Sequence, residues 1–171
     1  VFAQIKKELE GEEKKPGLAV ILIGSDPASK NYVSRKHKRA MSLGFHQETY
    51  RLQEDIKQST LLSLIDRLNL DKNIHGILVQ LPLPKHIEPD LVLKRISPEK
   101  DVDGFHPYNA GLLSQGRGNL IPCTAKGVVI MLESLKIPLS GLHAVVIGRS
   151  NIVGRPVAQL LEQQNCTVTL C

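Results

Sequence analysis

From Asn31 to Ala40 the sequence reads NYVSRKHKRA, with a tyrosine at 32 and an unbroken basic run from Arg35 to Arg39. On a helix, the neighbours of Lys36 are Tyr32, Val33, Arg39 and Ala40. Lys36 thus lies on the less polar side, whereas Arg35, Lys38 and Ser42 project elsewhere. Apolar surroundings and a nearby cation disfavour the charged form of lysines in general, which is how such a side chain becomes an acid–base group at neutral pH. The plainer alternative is a lysine whose stem lies along a solvated helix. Because the cations circle the helix rather than form one stripe, a nucleic-acid grip is disfavoured.

Three other segments carry candidate chemistry. Gln80 follows the apolar run GILV at the end of a predicted strand, and open α/β sheets bind ligands beyond their strands' carboxyl ends. A neutral amide there can hold a lysine or a ligand amide, or simply bond to backbone. PEKDVDG places Asp101 and Asp103 in a turn-rich segment without the further acids of a calcium loop. Either aspartate reads as a loop cap, or as a carboxylate pairing with donors of a heterocyclic ligand. In VVIGRSNIVGRP, Gly148 ends a strand and Gly154 falls in the first turns of a helix. The spacing is not the standard G-x-G-x-x-G, but a strand–turn–helix start directs amides and a positive dipole end at an anion. Arg149 and Ser150 occupy that turn. The next strand, TVTLC, lacks the acid that holds an unphosphorylated ribose. Arg149 together with the missing acid favours NADP over NAD; glycines serving only close packing are the alternative.

Positioning these side chains requires alternating elements. The sequence predicts helix over 2–9, strand over 18–24, helix from Asp26-Pro27 to about Leu43, and strand near 48–52. It continues with helix over 59–69, strand over 76–84, helix over 124–135, strand over 143–148, helix from about 152, and strand over 167–171. The segment 87–119 reads as mixed and turn-rich, a boundary. This alternation implies an α/β fold with a mainly parallel sheet. It assigns 1–118 to a substrate domain and 119–171 to the first part of a Rossmann-like domain.

Composition narrows the class. The chain has 171 residues, a formal net charge of +5, no Trp and 4% aromatics. That charge suits an anionic partner, but so few aromatics argue against a stacking platform for single-stranded nucleic acid. Three cysteines without CxxC spacing suggest neither a disulfide framework nor a zinc site. No apolar run reaches the roughly 18 residues of a membrane span. The expectation is a reducing, cytoplasmic setting without metal, membrane or nucleic-acid partners, and with a start at Val1 that looks trimmed.

Taken in order, PASKNYVSRKHKRA, GILVQLPLP, PEKDVDGFHPYNAG, IPCTAKG and GRSNIVGRP resemble the bifunctional methylenetetrahydrofolate dehydrogenase/cyclohydrolase family across essentially the whole chain. The resemblance implies NADP-dependent oxidation of 5,10-methylenetetrahydrofolate and hydrolysis of the product to 10-formyltetrahydrofolate, within one-carbon metabolism, by a homodimer. It implies Lys36, Gln80, Tyr32 and Asp103 as the catalytic set. Tyr32, Lys36, Val79, Gln80, Leu81 and Asp103 would line the folate, and Gly148, Arg149, Ser150 and Gly154 would hold NADP. Tyr32 would pack on the aminobenzoyl ring, Asp103 would anchor the pterin, and Gln80 would position Lys36.

Two departures stand out: Ala125 where the family usually has proline, and an end at Cys171 before the family's remaining Rossmann strands and a Pro-Gly-Gly motif. A chain of this length is expected to bind NADP weakly, turn over little, and have a labile C-terminal third. The rival readings are a non-catalytic folate- or nucleotide-binding fragment and another two-domain NADP dehydrogenase with a lysine acid–base group, of the shikimate type.

Overall fold

The computed structural model describes residues 2–12 and 14–171. Helix and strand alternate as α1 (Phe2–Leu9), β1 (Gly17–Ile23), α2 (Pro27–Ser42), β2 (His46–Leu52), α3 (Gln58–Leu70) and β3 (Gly76–Val79). Then come α4 (Pro89–Arg95), α5 (Pro107–Ser114), α6 (Cys123–Ser134), β4 (His143–Val146), α7 (Gly154–Gln163) and β5 (Thr167–Leu170). The chain forms two compact units, Val1–Lys100 and Asp101–Cys171.

In the first unit β1 is the central strand of a parallel sheet ordered β2-β1-β3. All of GLAVILI except Leu18 is buried, the unbroken apolar run that a strand covered on both faces requires. Ala19, Ile21 and Ile23 face a core completed by Leu61, Ile65 and Leu68 of α3 and by Ile77 and Val79 of β3. Burying such a side chain contributes roughly 1.5–3 kcal/mol. The three from α3 therefore outweigh the roughly 1 kcal/mol of a missing N-cap, and Lys57 indeed supplies no side-chain cap. On α2, by contrast, the Asp26 carboxylate accepts the Ser29 amide at 2.7 Å, and Pro27 occupies the first turn. Gly44, at φ +79°, follows the C-cap Leu43 in the left-handed conformation that glycine adopts freely.

The segment expected to be a turn-rich boundary contains α4 and α5 instead. Pro89 and Pro107 each stand at a helix start, where proline's fixed φ and missing N–H do no harm. Residues 101–118 also group with the second unit rather than ending the first, because Leu113 of α5 packs with Val157, Leu160 and Leu161 of α7. The strand expected over 76–84 stops at Val79, before a cis Leu81–Pro82 peptide and a proline that has no N–H for a ladder.

The second unit holds the parallel pair β4–β5 and a core formed by Leu113, Ala125, Val129 and the buried face of α7. Ala125, the departure from the family pattern, is 0% exposed at the third position of α6. Helix α7 begins at Gly154, later than the expected 152, because residues 151–153 form a turn around Ser150.

Candidate functional site

The first unit brings together Lys36 and Gln80, which are 44 residues apart in sequence. Their meeting point is the carboxyl end of the sheet, where the Gln80 amide donates to the Ile21 carbonyl at 2.9 Å. Lys36 Nζ donates to Gln80 Oε1 at 3.2 Å. Gln80 Nε2 in turn donates to the Leu81 carbonyl at 2.7 Å. This second bond fixes the amide: reversed, it would set oxygen against the carbonyl and a nitrogen donor against Lys36. Within the basic run, Lys36 is partly buried while Arg35, His37, Lys38 and Arg39 are exposed.

Tyr32 lies one helical turn before Lys36 and is 59% exposed, leaving its ring available to a flat ligand. Leu81 is partly exposed beside Gln80. Val79 differs from the expectation that it lines the substrate. The whole residue is 2% exposed and belongs to the core, so it offers a ligand no surface and serves to anchor the strand end that carries Gln80. The expectation that the cations circle α2 also needs correction, since Arg35, Lys38, Arg39 and Ser42 line one depression. Arg39 is further held with its guanidinium carbon 4.8 Å from the Phe2 ring centroid.

The two aspartates of KDVDG fall in the second unit and have different surroundings. Asp101 is buried and accepts the His106 amide and Asn109 Nδ2, each at 2.8 Å. Asp103 is partly exposed. The motif alone did not separate the two, and only the resemblance singled out Asp103; the local signal was His106-Pro107, a helix start close enough to send the His106 amide back to Asp101.

In the turn after β4, Gly148 has φ +105° and open space where a Cβ would project. A Cβ on Gly154 would run into the Gly148 carbonyl, so only glycine permits this approach of helix to strand. Ser150 Oγ accepts the amides of Val153 at 3.1 Å and Gly154 at 3.4 Å, and its carbonyl accepts Arg155 N at 3.0 Å. Those amides are thereby satisfied, so an anion must use donors earlier in the turn. The Ser150 hydroxyl keeps its proton to donate, and Arg149 is exposed. These residues fit a dinucleotide phosphate.

The model for the tetrahydrofolate dehydrogenase/cyclohydrolase catalytic domain matches residues 1–103, and that for the same family's NAD(P)-binding domain matches residues 122–171. The chain belongs to the tetrahydrofolate dehydrogenase/cyclohydrolase family. The bifunctional protein FolD of Geotalea daltonii is 52% identical over 178 residues, covering 100% of this chain and 64% of the relative. A bifunctional FolD methylenetetrahydrofolate dehydrogenase/cyclohydrolase structure from Campylobacter jejuni superposes with TM-score 0.94 at 47% identity, covering 99% of this chain and 63% of that one. The Trypanosoma brucei enzyme, complexed with NADP and an inhibitor, gives 0.92 at 37%, covering 99% and 61%. The chain thus spans just under two thirds of the length of these family members. Its alternating α/β architecture, a substrate-side unit followed by part of a nucleotide-binding domain, is the family's. Of the rival readings, the shikimate type is not favoured.

Among the described residues no group of three or more His, Cys, Asp or Glu side chains is disposed to hold a metal ion, and no helix is long and apolar enough to cross a membrane.

Proposed function

We propose that this chain carries the folate chemistry of its family: oxidation of 5,10-methylenetetrahydrofolate to the 5,10-methenyl cation, and hydrolysis of that cation to 10-formyltetrahydrofolate. The observation that carries the reading is the Lys36–Gln80 hydrogen bond at the open end of the sheet, beside an exposed Tyr32.

When bound, NADP⁺ supplies the hydride acceptor for the first step. Tyr32 holds the aminobenzoyl ring, and Asp103 pairs with the pterin's ring donors. Leu81, partly exposed beside Gln80, borders the ligand. Orientation of this kind can contribute several kcal/mol to a hydride transfer. In the second step Lys36, in its neutral form, takes a proton from the water that attacks the methenyl carbon. The new C–O bond forms as that carbon's positive charge is quenched. The proton then passes to the ring nitrogen whose C–N bond breaks, while the adduct's hydroxyl releases its own proton to solvent and becomes the carbonyl of the formyl group left on the other nitrogen. Gln80 accepts one N–H of Lys36 and so sets the direction of the amine's lone pair. A neutral amine also avoids repulsion with the cationic intermediate.

The division of labour follows function rather than packing, with residues 1–118 serving the folate and 119–171 the cofactor. Gly148, Arg149, Ser150 and Gly154 form the phosphate turn. Arg149, with no acid in β5, supports NADP over NAD, since a guanidinium matches phosphate oxygens in a bidentate way. A homodimer and a cytoplasmic setting belong to the same proposal, the first resting on the family resemblance and the second on three cysteines without disulfide or zinc spacing.

The test follows loss of methenyl absorbance and, separately, reduction of NADP⁺ or NAD⁺ by the purified chain. In a chain of full family length, Arg149→Ala is expected to erode the ratio of catalytic efficiencies for the two cofactors. Folate binding without hydrolysis of the methenyl substrate would favour the non-catalytic binding fragment instead.

A further inference from the structure

Asp101 and Asp103 stand two residues apart, but only Asp101 is enclosed. It is 2% exposed, and both the His106 amide and Asn109 Nδ2 converge on its Oδ2 at 2.8 Å. Asn109, on α5, is itself 6% exposed. The Asp101 carbonyl also accepts the Gly104 amide at 3.2 Å, closing the turn over residues 101–104. A second contact grips this turn. Gly104 has φ +67°, and a Cβ there would come within 2.8 Å of the Leu120 carbonyl. Cys123 Sγ lies 3.7 Å from the Val102 carbonyl. Asp103 is the one residue of 101–104 lying between the Val102 and Gly104 contacts.

A carboxylate is costly to bury, and two donors are retained to satisfy it. Loop capping alone does not require that enclosure, because an exposed aspartate caps a turn equally well, as Asp26 does on α2. What the buried pair adds is rigidity in the backbone that carries Asp103. We propose that Asp101, together with Asn109, is a positioning residue that fixes the direction of the Asp103 carboxylate toward the substrate's pterin ring. Preorganising the turn removes the ordering cost that a mobile carboxylate would otherwise incur on binding. The inference rests on the folate reading of Asp103 above.

The experiment is a double-mutant cycle read by titration calorimetry with 5-formyltetrahydrofolate, a stable reduced folate. Asp101→Asn keeps the side chain's shape and an acceptor oxygen for the His106 amide and Asn109 Nδ2, but removes the charge that strengthens both bonds. It is expected to weaken binding roughly ten-fold, the effect of one charge-assisted hydrogen bond. In an Asp103→Ala background the same change is expected to cost almost nothing more, because the group being positioned is gone. A purely structural role predicts an equal loss in both backgrounds, and that result overturns the proposal. So does unchanged affinity of Asp101→Asn when Asp103→Ala alone weakens binding. If Asp103→Ala alone leaves affinity unchanged, the folate reading of Asp103 fails first and takes this inference with it. Should Asp101→Asn not fold, Asn109→Ala removes one donor, keeps the His106 amide, and enters the same cycle with the same outcomes.

Discussion

Lys36 differs from the charged side chains around it in having a partner inside the fold. Arg35, His37, Lys38 and Arg39 are exposed, whereas Lys36 is drawn in toward Gln80. The helical neighbourhood of Lys36 was legible in the sequence, because i, i+4 geometry follows from the helix alone. Its link to Gln80 was legible only through the family resemblance, since it joins residues of α2 with the end of β3 and depends on how the two pack. Lys36→Met keeps length and apolar stem but removes the amine. It is expected to lower the rate of methenyl hydrolysis by at least about 100-fold, the low end of what a positioned acid–base group contributes, with folate affinity nearly unchanged. Stopped-flow absorbance of the methenyl substrate measures the first and calorimetry the second; near-parent hydrolysis would remove Lys36 from the chemistry. For Gln80→Ala a smaller loss, roughly ten-fold, is expected. The pH–rate profile should move with it, because the amide acts only through the amine. A slower reaction with an unmoved profile would point to packing instead.

At the scale of elements, the legible parts were those governed by local physics. The run GLAVILI announced a buried central strand, and Asp26-Pro27 announced the start of α2. Helices α4 and α5 were missed because their prolines punctuate in either direction: a proline ends a helix that precedes it and starts one that follows. Only the packing of Val92 and Leu113 into their cores chooses between the two. The start of α2 offers a test that does not involve ligand. The Ser29 amide, bonded to the Asp26 carboxylate, holds that carboxyl below the usual carboxylate range. Because the folded value lies below the unfolded one, its contribution to stability is present above the unfolded value. It is lost as pH falls through the folded value. Asp26→Ala is therefore expected to lower the thermal midpoint at neutral pH, on the order of a few degrees. That gap should narrow progressively in acid. A gap independent of pH would mean that the substitution acts through the helix backbone and not through the charge.

Across the whole molecule, stability is distributed unevenly between the two units. In the first, Ala19, Val20 and Ile21 of β1 are 0% exposed and Ile77 of β3 is 1% exposed, and helices cover the sheet. In the second, β4 alternates between exposed and partly buried residues, and β5 is exposed except at the partly buried Val168. Val145 is 59% exposed there, and Ile147 just beyond the strand is 90% exposed. Local opening costs least where few apolar contacts must be broken. Amide hydrogen exchange of the chain is thus expected to show β1 and β3 as its slowest segments, with β4 and β5 exchanging at least about ten-fold faster. Binding draws on the same uneven distribution, because a ligand that binds only the closed form of the phosphate turn opposes its opening. Adding NADP is expected to slow exchange at residues 148–155 and in the adjoining β4–β5 pair, and to leave β1 unchanged. Gly154→Ala, which forces a side chain into the Gly148 carbonyl, should abolish that cofactor effect while sparing the first unit. Protection of β4–β5 equal to that of β1 before any cofactor is added would show that burial does not set the stability of the second unit. A cofactor effect that survives Gly154→Ala would place the phosphate somewhere other than this turn.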